Sequence, residues 1–126
     1  QKGLDAVKPG ARTGDIGHAI QTYVEAQRCS VVRDFCGHGL GRVFHDSPNI
    51  LHFGQKGTGE LLRPGMFFTI EPMVNLGKYQ VKLLSDGWTA VTRVLFSVNT
   101  LRLGCSPHCT PSHSVGSIHH LADTGH

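Results

Sequence analysis

Two histidines and one carboxylate stand in this sequence where chemistry is most easily done. His38 lies between two glycines in the run Cys36-Gly37-His38-Gly39-Leu40-Gly41-Arg42, His45 follows Phe44, and Glu71 lies in Thr69-Ile70-Glu71-Pro72. An imidazole flanked by glycines is unobstructed by neighbouring side chains, which suits a metal ligand or an acid–base group. A hydrogen-bonded loop histidine is the structural alternative. Glu71 is harder to read as structure, because a carboxylate at the tail of a buried strand is costly unless paired or metal-bound. The three residues match a divalent-metal site of zinc, manganese, iron or cobalt type, with a purely structural cluster as the competing reading. Cys36 has no base placed by sequence to activate it and reads as a small buried thiol. Arg42 and Asp46 read as solvated charges or local partners. Phe44 and Trp88 by themselves read as ordinary core aromatics.

The elements that must position these residues follow from local pattern. Val7-Lys8-Pro9-Gly10 has turn chemistry, and Thr13 is placed to cap a helix over 13–28 whose apolar residues Ile16, Ile20, Tyr23 and Val24 share one face. Ser30-Val31-Val32 reads as a short strand running into an irregular, glycine-rich loop at 37–41. Arg63-Pro64-Gly65 is a second turn, and Met66 to Ile70 is an apolar run of strand length that Pro72 ends, placing Glu71 at its tail. Tyr79–Leu84 and Trp88–Thr92 flank Ser85-Asp86-Gly87 and read as an antiparallel hairpin.

The bulk numbers narrow the setting. A chain of 126 residues carries one hydrophobic core at most. With 39% hydrophobic residues, 17% charged and a net charge of +3, nothing argues for nucleic acid or an anionic membrane as partner. No apolar run approaches the roughly 20 residues of a membrane helix, no secretory pattern opens the chain, and a cytoplasmic location is the expectation. The cysteines Cys29, Cys36, Cys105 and Cys109 are expected as free thiols. Gln1 does not resemble a natural start, so further residues upstream are expected.

The chemistry-bearing segments, in order and spacing, resemble type I methionine aminopeptidases. The likeness runs from about Gly3 to Arg93 through Cys36–Arg42, Phe44-His45, Pro64-Gly65-Met66-Phe67-Phe68-Thr69-Ile70-Glu71-Pro72-Met73 and Asp86-Gly87-Trp88-Thr89. It favours the type I form over type II and over the proline-specific and creatinase relatives. The resemblance implies an α+β pita-bread fold, of which this chain holds the C-terminal half with antiparallel strands and at least one helix. It further implies two divalent metal ions (cobalt, manganese, iron or zinc) and removal of the initiator methionine from nascent polypeptides, near the ribosome, by a protein monomeric when complete. Carried over by position, His38 and Glu71 would be metal ligands. Glu71 and His45 would be catalytic, with His45 also contacting the substrate amide, and Phe44 and Trp88 would line the pocket for the methionine side chain. Of the five protein ligands such a site takes, two are present, so the chain is expected to be incomplete and weakly active or inactive. A non-catalytic fragment or pseudoenzyme is the alternative. One half of a two-half fold is also expected to leave apolar area exposed and to be poorly soluble or molten.

Beyond Arg93 the character changes. Residues 94–126 hold one acidic residue, Asp123, and five of the nine histidines, without periodicity. This tail is expected to be disordered and out of frame. If Phe96-Ser97-Val98-Asn99-Thr100-Leu101 is written TTC AGT GTG AAC ACA CTN, reading from the third base of the phenylalanine codon yields Gln-Cys-Glu-His-Thr, the family's stretch bearing the last glutamate ligand. The nucleotide sequence there decides it. The competing reading is a zinc-binding tail built on Cys105, Cys109 and His113 with His108, His119 and His120 nearby, but its spacing fits no established finger or ribbon.

Overall fold

A computed structural model describes residues 1–93 and the backbone of residues 117–120. A short helix α1 (Lys2–Asp5) leads through the Pro9-Gly10 turn into α2 (Thr13–Ala26). The predicted amphipathic face is present: Ile16, Ile20 and Val24 are buried, whereas Tyr23 turns half-exposed to solvent. The start of α2 differs from expectation. Thr13 is the first helical residue, and its hydroxyl accepts from the Glu60 amide across the molecule rather than capping the helix. The capping contact comes from Asp15, whose carboxylate accepts from the Arg12 and Gly57 amides at 2.7 and 2.8 Å, and these bonds hold its pKa below the usual range. The helix ends earlier than predicted, at Ala26, and the chain reverses through Arg28 at φ 59°.

Three sheets follow. β1 (Cys29–Val31) pairs antiparallel with β5 (Val74–Leu76), and β6 (Val81–Leu83) pairs with β7 (Ala90–Thr92) as the predicted hairpin. The third sheet positions the site. Its order is β3 (Asp46–Ile50), β2 (Gly37–Gly39), β4 (Phe67–Ile70) and β8 (Ser117–His120), all antiparallel.

The glycine-rich stretch, read as an irregular loop, supplies the inner strand β2, with a register shift between His38 and Gly39. The reason is steric. A Cβ on Gly37 would sit 2.2 Å from the Thr69 carbonyl oxygen, and one on Gly39 would sit 2.1 Å from that of Ser47. Glycine is needed here for close backbone approach rather than for an unusual dihedral.

α2 packs on β1, β3 and α1. The core between them is formed by Ile16, Ile50, Leu62 and Phe68, all at 2% exposure or less, with Ile20, Val24, Val31 and Ile70 around them. Each such side chain contributes about 1.5–3 kcal/mol of burial. This core holds β4 in place, and with it the segment that carries Glu71. Among the described residues no helix is long and apolar enough to cross a membrane. The expectations for 94–116 and 121–126, the Cys105/Cys109/His113 cluster included, lie outside the described residues.

Candidate metal centre

His38 and Glu71 come from adjacent strands of the four-stranded sheet. His38 is the middle residue of β2, and Glu71 follows the last residue of β4. The register Gly39↔Phe68 brings them together, leaving His38 Nε2 3.5 Å from Glu71 Oε1. The His38 side chain is nearly buried at 10% exposure, while Glu71 opens to solvent at 45%. The Nδ1 of His38 lies 2.9 Å from its neighbour Gly39's carbonyl oxygen and donates to it. That bond places the Nδ1 proton, so in the neutral imidazole Nε2 is the nitrogen with the free lone pair, and it faces the carboxylate.

Thr69 joins the two groups. Its hydroxyl donates to Glu71 Oε1 at 2.7 Å and accepts from the His38 amide at 3.0 Å. Above them sit Phe44 and His45. The His45 ring centroid lies 4.3 Å from that of His38 and the Phe44 ring 5.3 Å, with Phe44 and His45 edge to face at 4.7 Å. His38, His45, Phe44 and Glu71 therefore form one cluster. Phe44 is 72% exposed and is not the core residue its chemistry alone suggested.

Trp88 stands elsewhere. It lies at the turn of the β6–β7 hairpin, 89% exposed, and among the described residues no ring contact ties it to the cluster. Asp86 organises that turn by accepting from the Thr89 hydroxyl and from the amides of Thr89 and Trp88, which holds its carboxyl below the usual range. Asp46 is a local partner, accepting from the Ser47 amide at 2.8 Å, and its other oxygen occupies the space a side chain at Gly41 would need. Cys36 is half-buried with a free thiol.

Two members of the arrangement escaped the sequence reading. Thr69 stands in the sequence only as one residue of a strand motif, and His52 belongs to none of the motifs. His52 is 1% exposed, and its Nε2 accepts the Glu71 amide at 3.1 Å. Burial drives its pKa down to about 4, against a smaller upward pull from Glu71.

The donor set fits half of a divalent-metal shell. An imidazole with its distal nitrogen tied to a carbonyl and a carboxylate already held by a hydroxyl are how ligating side chains are normally oriented. Among the described residues no group of three or more His, Cys, Asp or Glu is arranged to hold a metal, so the shell here has two donors. An open cleft lined by Lys8, Asp15, His18 and Lys56 lies away from all of these residues.

Comparisons with known proteins show the family and the fold. The profile of metallopeptidase family M24 matches residues 1–119. Methionine aminopeptidase A of Synechocystis is 59% identical over 91 residues, covering 72% of this chain and 36% of the relative. The methionine aminopeptidase of Escherichia coli K12 is 53% identical over 90 residues, covering 71% and 34%. The crystal structure of the Rickettsia prowazekii methionine aminopeptidase superposes with a TM-score of 0.71 at 59% identity, over 73% of this chain and 38% of that one. The Thermotoga maritima enzyme gives 0.70 at 49% identity. The chain thus spans little more than a third of the length of these relatives, and its helix and antiparallel strands are part of their pita-bread fold. On this sequence match and this fold, the chain belongs to metallopeptidase family M24, and the relatives it resembles there are methionine aminopeptidases.

Proposed function

We propose that this chain supplies one wall of a divalent-metal centre that removes the initiator methionine from nascent polypeptides in the cytoplasm. The observation that carries the reading is the His38–Glu71 pair, 3.5 Å apart with the Nε2 lone pair of the neutral imidazole facing the carboxylate. His38 and Glu71 would hold the cation, of cobalt, manganese, iron or zinc type. When bound, the cation supplies Lewis acidity, polarising the scissile carbonyl and acidifying water at neutral pH.

The chain's own residues supply the rest. His45 lies beside His38 in the exposed rim, its ring tilted 54° to that of His38, where its imidazole can donate to the substrate amide and to negative charge developing on the carbonyl oxygen. Glu71, half-open to solvent, can take a proton and pass it to the leaving amine. Phe44 offers an apolar surface for an unbranched thioether, whereas Trp88, exposed at the hairpin turn, makes no ring contact with it among the described residues. With two donors among the described residues, the polypeptide is by itself a weak or silent catalyst, a reading that favours a non-catalytic fragment for this chain alone.

Calorimetric titration of the full chain with Co2+, alongside hydrolysis of a methionyl-alanyl-serine peptide, tests both statements. Weak cation binding that His38→Ala and Glu71→Gln each abolish, without turnover, is the expected result. Turnover by this chain overturns the view that it is catalytically incomplete, and Co2+ binding indifferent to both substitutions overturns the ligand assignment.

A further inference from the structure

The described cluster contains one buried histidine to which the chemistry above gives no task. We propose that His52 is a positioning residue that fixes the reach of Glu71 by accepting its main-chain N–H, an inference that rests on Glu71 being a metal ligand. β4 ends at Ile70, and Pro72 has no N–H, so the Glu71 amide is the last donor before the chain leaves the sheet. The acceptor it meets is an imidazole nitrogen at 3.1 Å, on a side chain 1% exposed that comes from just beyond β3. Only the tautomer with its proton on Nδ1 offers Nε2 as an acceptor.

Glu71 is thereby held at two points by two different elements. Thr69 fixes its carboxylate at 2.7 Å, and His52 fixes its backbone. A carboxylate tethered at its oxygen alone can swing with its own main chain, and one tethered at both ends cannot. Removing the imidazole leaves the Glu71 amide without its acceptor, and the backbone must turn to find another. The carboxylate then loses its aim at His38, because ligating groups must be held to a fraction of an ångström.

The test uses the full chain and three variants. His52→Leu removes the acceptor, His52→Gln keeps an oxygen acceptor at comparable reach, and Leu62→Ala weakens the same core without touching the cluster. Co2+ affinity is expected to fall by roughly 10–100-fold in His52→Leu, the usual effect of losing an outer-shell partner. It should hold within a few-fold in His52→Gln and Leu62→Ala, although Leu62→Ala lowers stability. Unchanged affinity in His52→Leu, an equal loss in His52→Gln, or an equal loss in Leu62→Ala overturns the assignment. If the unsubstituted chain binds no Co2+, the ligand reading has failed, and amide hydrogen exchange decides the positioning role separately. The Glu71 amide should then be protected in the unsubstituted chain and in His52→Gln, with selective loss in His52→Leu; equal protection in all three overturns it.

Discussion

Phe68 and Phe44 lie on neighbouring parts of one structure and experience opposite environments. Phe68, on β4, is 0% exposed and packs with Ile16, Ile50 and Leu62 beneath α2. Phe44, in the segment between β2 and β3, is 72% exposed, and among the described residues its ring contacts are with the two imidazoles of the cluster. The hairpin repeats the second pattern, with Trp88 at 89% and Leu83 at 52% exposure. One region closes its core within the chain, and the other presents aromatic surface to water at the place where the candidate chemistry lies. Of these aromatic side chains, the one that stabilises the core is therefore distinct from the one beside the candidate chemistry.

The largest expected effect tests that separation directly. Phe68→Ala should destabilise the chain by about 3–5 kcal/mol through lost burial and a cavity that the sheet cannot fill. Phe44→Ala should stay within about 0.5 kcal/mol. Urea unfolding followed by far-ultraviolet circular dichroism measures both, and similar shifts for the two would erase the distinction. The far-ultraviolet signal is the better reporter, because the one tryptophan is nearly fully exposed and near-ultraviolet bands would be weak even in a well-packed chain. Failure of the unsubstituted chain to melt cooperatively would support the expectation of a molten half-fold.

The closed region was largely legible in the sequence, and the open one only in part. Ile16, Ile20 and Val24 announce the helix by spacing, and Asp86-Gly87 announces the hairpin, because both signals are local. β2 was not legible, since glycine signals conformational freedom locally, and only the approach of Thr69 and Ser47 shows that it signals lack of volume here. The motif residues His38, Glu71, His45 and Phe44 lie together in the structure. The motif could not reveal His52, whose role is a contact 19 residues away with a main-chain amide. A buried histidine has no local pattern to distinguish it from an exposed one.

His52 also makes the closed region sensitive to pH. The unfolded chain protonates it near 6.5, whereas the folded chain resists protonation down to about 4. Between these values the unfolded state binds more protons, so stability is full above pH 6.5, falls through the window, and has lost its whole contribution below pH 4. The loss is on the order of 3 kcal/mol. Asp15 and Asp86, both held below 3.8, keep their contributions above that value and lose them as the pH falls below it, so the two windows adjoin. Urea midpoints from pH 7 to pH 4 should drop steeply for the unsubstituted chain and flatten for His52→Gln. An equal drop in both would assign the effect to some other group.

The smallest expected difference concerns two polar hubs. The Thr69 hydroxyl donates to Glu71 at 2.7 Å, with the His38 carbonyl a more distant acceptor at 3.5 Å, and accepts from the His38 amide, inside the sheet at 7% exposure. Asp86 accepts three bonds at a solvent-exposed turn. Counting bonds does not separate Asp86 from Thr69, and burial ranks Thr69 first. Thr69→Val strands the buried His38 amide, a loss of about 1–3 kcal/mol, whereas water replaces the partners of Trp88 and Thr89 once Asp86 is gone. Asp86→Ala should accordingly shift the urea midpoint less than Thr69→Val at pH 7. The reverse ranking would mean that the hairpin turn, and with it the placement of Trp88, is under tighter constraint than its exposure suggests.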